Sequence, residues 1–234
     1  VRHHPGQWGQ PHQQVPTEQQ YQQWQQVPKK SRAGCVTLVV IGVVVLLGAG
    51  IVAGGYFSWR HSVITTPAGQ EPSGKAVIAP CDLVSEDTLR RLRTTNFVDG
   101  HESEDTGAAG CRWRPTKGQD GNDERYLDIT VTRSVADDPE EAVAEAEEAY
   151  ESHRQTDGAG AVRVVEVAGP WDEAFLATGT EAKQALLVFR KGTTTVSVGY
   201  DGYDKTYWIE DERMPVAEAA WGAKVVAEEF AAGL

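Results

Sequence analysis

The apolar side chains of this chain fall very unevenly. Residues 36–57 (VTLVVIGVVVLLGAGIVAGGYF) are apolar apart from Thr37 and the glycines, and the 27 residues between Arg32 and Arg60 carry no charge at all. As a helix, those 22 residues span about 33 Å, enough for a hydrocarbon core of about 30 Å. A globular helix of that length would show a polar face, and this one has none. The pattern therefore predicts a transmembrane helix over residues 33–59. A cleaved signal peptide fits less well, because its apolar core is shorter and begins near the N-terminus, whereas more than 30 polar residues precede this span. A lipoprotein anchor fits less well again. Its acylated Cys follows the apolar stretch, and Cys35 precedes it. Gly50 and Gly54 form a G-x-x-x-G pair inside the span, a spacing that lets two helices approach closely, and they mark a candidate homodimer contact.

Past the span the periodicities become those of a globular domain. Ser85 precedes Glu86 and Asp87, with arginines at 90, 91 and 93, the order that caps a short helix at both ends. Residues 125–134 (RYLDITVTRS) alternate, with Leu127, Ile129 and Val131 on one face and Tyr126 off phase, which predicts a half-buried strand. Asp137-Asp138-Pro139-Glu140-Glu141 is a helix start. That helix is expected to run to about Gln155, with Val143, Ala146 and Tyr150 as its apolar stripe. Residues 161–168, 184–190 and 193–200 read as strands, the last two joined by a Lys191-Gly192 hairpin turn. Residues 171–180 fit either a strand or a loop, and residues 96–110 read as a polar loop. Val216, Ala219, Ala220, Ala223, Val226, Ala227 and Phe230 recur at helical spacing near the C-terminus. The order predicts an α+β domain over residues 80–234, an antiparallel sheet flanked by helices.

Composition adds a tail and a tether. Residues 1–28 hold ten glutamines and four prolines; such a segment buries too little apolar area to offset its ordering entropy, so residues 1–32 read as a disordered tail. Residues 60–79 are rich in Pro, Gly, Ser and Thr and read as a flexible linker. Charge orients the whole. Lys29, Lys30 and Arg32 crowd one end of the span, against Arg60 and Lys75 beyond the other, which predicts a cytoplasmic N-terminus and an outer C-terminal domain at the plasma membrane. Residues 1–57 carry a net charge of +3 and the remainder −15. An outer domain this acidic disfavours nucleic acid as a partner.

On an oxidising outer face Cys81 and Cys111 are most simply a disulfide; a metal site would need further ligands, and His61, His101 and His153 are scattered. The acids at 120, 123 and 124 lack the spacing of an EF-hand and read as a polar turn. No nucleophile elbow, phosphate loop, zinc helix or dinucleotide fingerprint occurs, so no catalytic, metal or cofactor residue is assigned. One cluster suggests recognition. Tyr203, Tyr207 and Trp208 lie among Asp201, Asp204, Glu210, Asp211 and Glu212, where interleaved rings and acids suit a cationic or sugar-like ligand or, alternatively, cover the core.

Pro80-Cys81-Asp82-Leu83 before a short helix, Cys111-Arg112-Trp113 opening a strand, and a helix beginning Asp138-Pro139-Glu140 together resemble a family of actinobacterial secreted, lipid-anchored or membrane-anchored envelope domains of unknown function. More distantly they resemble the outer sensor domains of actinobacterial receptor kinases and photosystem-associated domains built on a helix-flanked antiparallel sheet. The resemblance covers the outer domain only. It implies an accessory or sensory role in the cell envelope, with no catalytic residues to carry over; the favoured reading is a non-enzymatic module whose outer domain binds an envelope protein or a small molecule. The alternative from the residues is an enzyme or enzyme subunit acting on envelope material.

Overall fold

The computed structural model describes residues 33–103, 105–180, 183–207 and 211–234. The tail over residues 1–32 and Trp208 lie outside them. The chain divides into two compact units, residues 1–55 and 56–234.

In the first unit the described residues belong to helix α1, which runs Ala33–Thr65 and so extends into the second. The helix is apolar around most of its circumference; over its most apolar 18 residues the mean hydropathy is 2.6, and none of that stretch is buried. Leu38, Leu46 and Ile51 are each more than 70 % exposed, an arrangement that suits lipid and not water. Gly50 and Gly54 have no protein atom near the place a side chain would occupy. The helix outlasts the predicted boundary at residue 59, because Arg60, His61 and Ser62 are compatible with helix, and stops just before Pro67.

The second unit is a sheet of eight strands, all pairings antiparallel: β1 (Asn96–Ser103), β2 (Ala108–Arg114), β3 (Glu124–Arg133), β4 (Arg163–Glu166), β5 (Glu173–Thr178), β6 (Ala185–Lys191), β7 (Thr194–Asp204) and β8 (Glu212–Arg213). Their order across the sheet is β1-β2-β3-β7-β6-β5-β4, with β8 on the end of β7. Three helices accompany them: α2 (Glu86–Arg91), α3 (Pro139–Ala159) and α4 (Val216–Gly233). This is the α+β class that the periodicities predict.

Alternation assigns each strand's two faces. Leu127, Ile129 and Val131 of β3, Trp113 and Cys111 of β2, Leu187 and Phe189 of β6, and Val198 and Tyr200 of β7 form the main core beneath α4. Helix α4 contributes Ala219, Ala223, Val226, Ala227, Phe230 and Ala231, its small residues letting the helix lie close to the sheet. The Tyr200 hydroxyl donates to the Leu92 carbonyl at 2.8 Å, and burial pushes its pKa up to about 12. On the other face Tyr150 of α3 meets Phe175, Ala177 and Val188 in a smaller core. The stripe of α3 is Ala142, Ala146 and Tyr150, with Val143 only half-buried, and the helix continues past Gln155 to Ala159.

Two further expectations are corrected and one open alternative is settled. The polar stretch 96–110 is a β-hairpin, β1 with β2, paired from Asn96 with Arg114 to Ser103 with Ala108. Its open face is solvated, so no apolar alternation betrays it. Residues 171–180 contain strand β5. The linker is not a free tether: Ala68 is buried, its N–H donates to Gly121 O, Gln70 N–H to Pro115 O, and Lys117 N–H to Gln70 O. Ser73 N–H and the Asn96 side chain continue the strap. Pro, Gly, Ser and Thr here supply backbone groups that the β1–β2 end of the sheet satisfies.

The Cys81–Cys111 disulfide is present and ties the 3-10 turn Cys81–Leu83 to β2, the second strand of the sheet. The turn at 120–124 is structural. Asp120 Oδ2 accepts from Thr95 N–H, Thr95 Oγ1 and Thr116 N–H at 2.7–2.9 Å, and the residue is only 5 % exposed.

Candidate functional site: the open half of the sheet

Helix α3 covers the second face of the sheet over β5, β6 and one end each of β7 and β3. The β1–β2–β3 side of that face lies open. Strand parity puts Asp99 and His101 of β1, Gly110, Arg112 and Arg114 of β2, and Tyr126, Asp128 and Thr130 of β3 on it, because Leu127, Ile129 and Trp113 point the other way.

Asp128 is the centre of this surface. Its Oδ1 lies 3.2 Å from Arg114 Nη1 and 3.5 Å from Arg112 Nε, and its Oδ2 lies 3.0 Å from Lys183 Nζ. Burial alone would raise the Asp128 pKa, but the charges of Lys183 and Arg114 and their hydrogen bonds outweigh it and hold the carboxyl below the ordinary carboxylate range. Arg114 also donates to the Trp113 carbonyl at 2.7 Å and lies 4.8 Å over the Tyr126 ring. The Tyr126 hydroxyl donates to the Glu124 carboxylate; burial first, then that bond and charge, push its pKa up.

Two glycines make room for side chains of this surface. A Cβ at Gly110 would strike the His101 ring at 2.3 Å, and one at Gly199 would strike Lys183 Nζ at 2.3 Å. Both side chains therefore lie flat on bare backbone. Lys183 is held from behind by Thr180, whose hydroxyl donates to the Lys183 carbonyl and accepts from its N–H. The result is a groove of about 300 Å³ walled by Asp99, His101, Arg112, Arg114, Asp128 and Lys183.

The Asp128 contacts carry a pH signature. A carboxyl depressed in the folded state contributes stability that is complete above its unfolded pKa of about 3.9 and is lost as pH falls through the lower folded value. Urea midpoints measured from about pH 5 downward should therefore fall more steeply for the wild type than for Asp128→Asn. Parallel acid limbs would show that the three cations do not stabilise the ionised carboxylate.

The predicted recognition cluster lies elsewhere. Tyr203 lies next to the last residue of β7, opposite Glu124 and Arg213. Tyr207 is exposed, its ring 6.3 Å from that of Phe57 on α1. Its loop holds the end of α1: Lys205 Nζ donates to Thr66 O at 2.8 Å and Val63 O at 3.4 Å, placing a cation on terminal carbonyls where the helix dipole favours one. Arg60, itself buried, donates to Thr206 O and faces Asp211 at 3.6 Å.

Sequence reading assigned none of the groove residues. Alternation could have placed Arg112 with Arg114 and Tyr126 with Asp128 on polar faces, but only the strand register and the turn before β6 bring Lys183 to them. Among the described residues no group of three His, Cys, Asp or Glu is arranged to hold a metal ion. Comparison of the chain with protein-family models, curated proteins and solved structures finds no match.

Proposed function

We propose that this chain is a single-pass protein of the plasma membrane with a cytoplasmic N-terminus, whose outer domain is a non-enzymatic binding module of the cell envelope. The open half of the sheet is its recognition surface. The apolar, exposed α1 supports the anchor, and the lysines and arginine before it support the orientation. The disulfide suits an oxidising compartment. The resemblance of the Cys81 and Cys111 motifs to actinobacterial envelope domains supports an accessory or sensory role.

The observation that carries the reading is the groove around Asp128: a concave polar surface that no helix covers, built on rigid strands, in a domain whose other face is spent on its core. Recognition there has a direct test. A photo-crosslinking residue at Thr130, exposed on the open face, should capture a partner in intact cells, whereas the same residue at Glu148, exposed on α3, should not. Equal capture at both positions, or none at Thr130, would remove the open face as a surface for a macromolecular partner.

A further inference from the structure

We infer that the groove around Asp128 is an anion site that takes a compact ligand bearing a carboxylate or phosphate group. The inference rests on the reading of the open face as the binding surface and adds the chemistry of what binds.

Three cations, Arg112, Arg114 and Lys183, surround one carboxylate within 3.0–3.5 Å. Among the groove walls the three cations outnumber Asp128 and Asp99 by one, in a part of the chain whose net charge is −15. The second acid at the rim, Asp99, faces outward to Lys75 at 3.8 Å. Asp128 spends both oxygens on the three cations without exhausting their donors. Lys183 Nζ gives it one of three N–H bonds. Arg112 approaches it through Nε, and its two terminal nitrogens have no protein partner among the described residues. Arg112 is also more than half exposed, so its planar fork is presented to the groove mouth.

A network that served only stability would pair its charges and close over them. Here one acid holds three cations in place while a groove of about 300 Å³ remains beside them, lined in part by Gly110. That volume suits a small ligand or one charged end of a larger one. The His101 ring and the Thr130 hydroxyl add polar groups at the margin. An oxyanion bridging Arg112 and Lys183 would complete the ring of charge that Asp128 alone leaves short.

The test uses the full chain in a non-ionic detergent, titrated calorimetrically with inorganic phosphate in one arm and succinate in the other, against sodium chloride at matched ionic strength. Saturable binding is expected in at least one arm, and the arm that binds assigns the anion to the phosphate or the carboxylate class. Arg112→Gln should weaken it about tenfold. Asp128→Asn removes the internal competitor and should strengthen it about tenfold, with phosphate or succinate raising the variant's melting temperature more than the wild type's. A purely structural network predicts for Asp128→Asn a loss of stability that neither anion repairs. No saturable heat in either arm for the wild type and Asp128→Asn, or binding undiminished in Arg112→Gln, overturns the anion site. Capture at Thr130 that persists alongside such a failure would leave the recognition surface standing with a non-anionic ligand, whereas anion binding without capture would leave the site and remove the macromolecular partner.

Discussion

Replacing Cys81 and Cys111 together with alanine is expected to lower the stability of the sheet domain by about 3–4 kcal/mol, the chain-entropy value for a loop of this length. The two residues are 30 apart in sequence. For a domain of this size that corresponds to a fall in melting temperature of roughly 10 °C. The bridge has a specific mechanical role. Cys111 pairs with Gly100 of β1 and Ile129 of β3, while Cys81 sits in the turn that leads through Val84 to α2. Cutting the bond frees α2 and its Leu89 and Leu92 contacts from the sheet edge as well as enlarging the unfolded ensemble. Both cysteines are at most 3 % exposed and packed with Trp113 and Phe97, so alanine tests the bond without introducing a buried hydroxyl. Thermal unfolding followed by circular dichroism, with and without reductant, separates the contributions. Reduced wild type should match the double variant, and a midpoint indifferent to both would mean that the bond adds nothing to the packing around it.

The parts of the fold legible in the sequence are those whose stabilising contacts are local. Ser85 and Asp138 cap their helices as their positions predict, accepting from Thr88 N–H and from Glu140 and Glu141 N–H. The phase of Leu127, Ile129 and Val131 follows from one buried face. Where a segment's partners are distant, local pattern misleads. Residues 66–79 have a linker's composition, yet Gln70, Glu71 and Ser73 bond to residues 23 to 47 positions away. The β1 strand reads as a loop because Asp99, His101 and Glu102 are exposed on an open hairpin. Val143 and Ala142 are adjacent on α3, and it is Ala142 that is buried with Ala146 and Tyr150 on the face whose Ala146 carbonyl accepts from the Thr195 hydroxyl of the sheet. The same limit hid the groove, whose charges come from two strands and a turn, and it left Tyr203 and Tyr207 visible as a cluster without showing that their loop holds the end of α1. Arg125 is the sharpest case. It occupies a core-face position of an alternating strand, where the pattern calls for an apolar side chain, and its reason lies on β7 and α4.

That position predicts the second large effect. The Arg125 side chain is 1 % exposed and meets Asp204 at 2.5 Å and Glu218 at 3.2 Å, while Arg93 reaches Glu218 at 3.0 Å and Asp123 at 3.1 Å. Burial would lower the Arg125 pKa, but the Asp204 hydrogen bond and the two carboxylate charges outweigh it and raise it, so the guanidinium stays charged throughout the stable range. Removing the acids while leaving the cation, as in Asp204→Asn with Glu218→Gln, strands a buried charge and is expected to cost about 3–5 kcal/mol. Arg125→Met strands only carboxylates more than a third exposed, which water can reach, so its cost should be smaller, about 2 kcal/mol. The triple variant carries no charge at the three positions and should recover most of the double variant's loss. Part of the wild-type burial is already uncompensated, because Arg125 Nε is buried without a hydrogen-bond partner among the described residues, and methionine relieves that cost. Urea unfolding of the three variants closes the cycle. Recovery in the triple variant identifies the network as a set of mutually dependent charges at the junction of β3, β7 and α4, whereas losses that simply add would mean that each residue acts through its own packing.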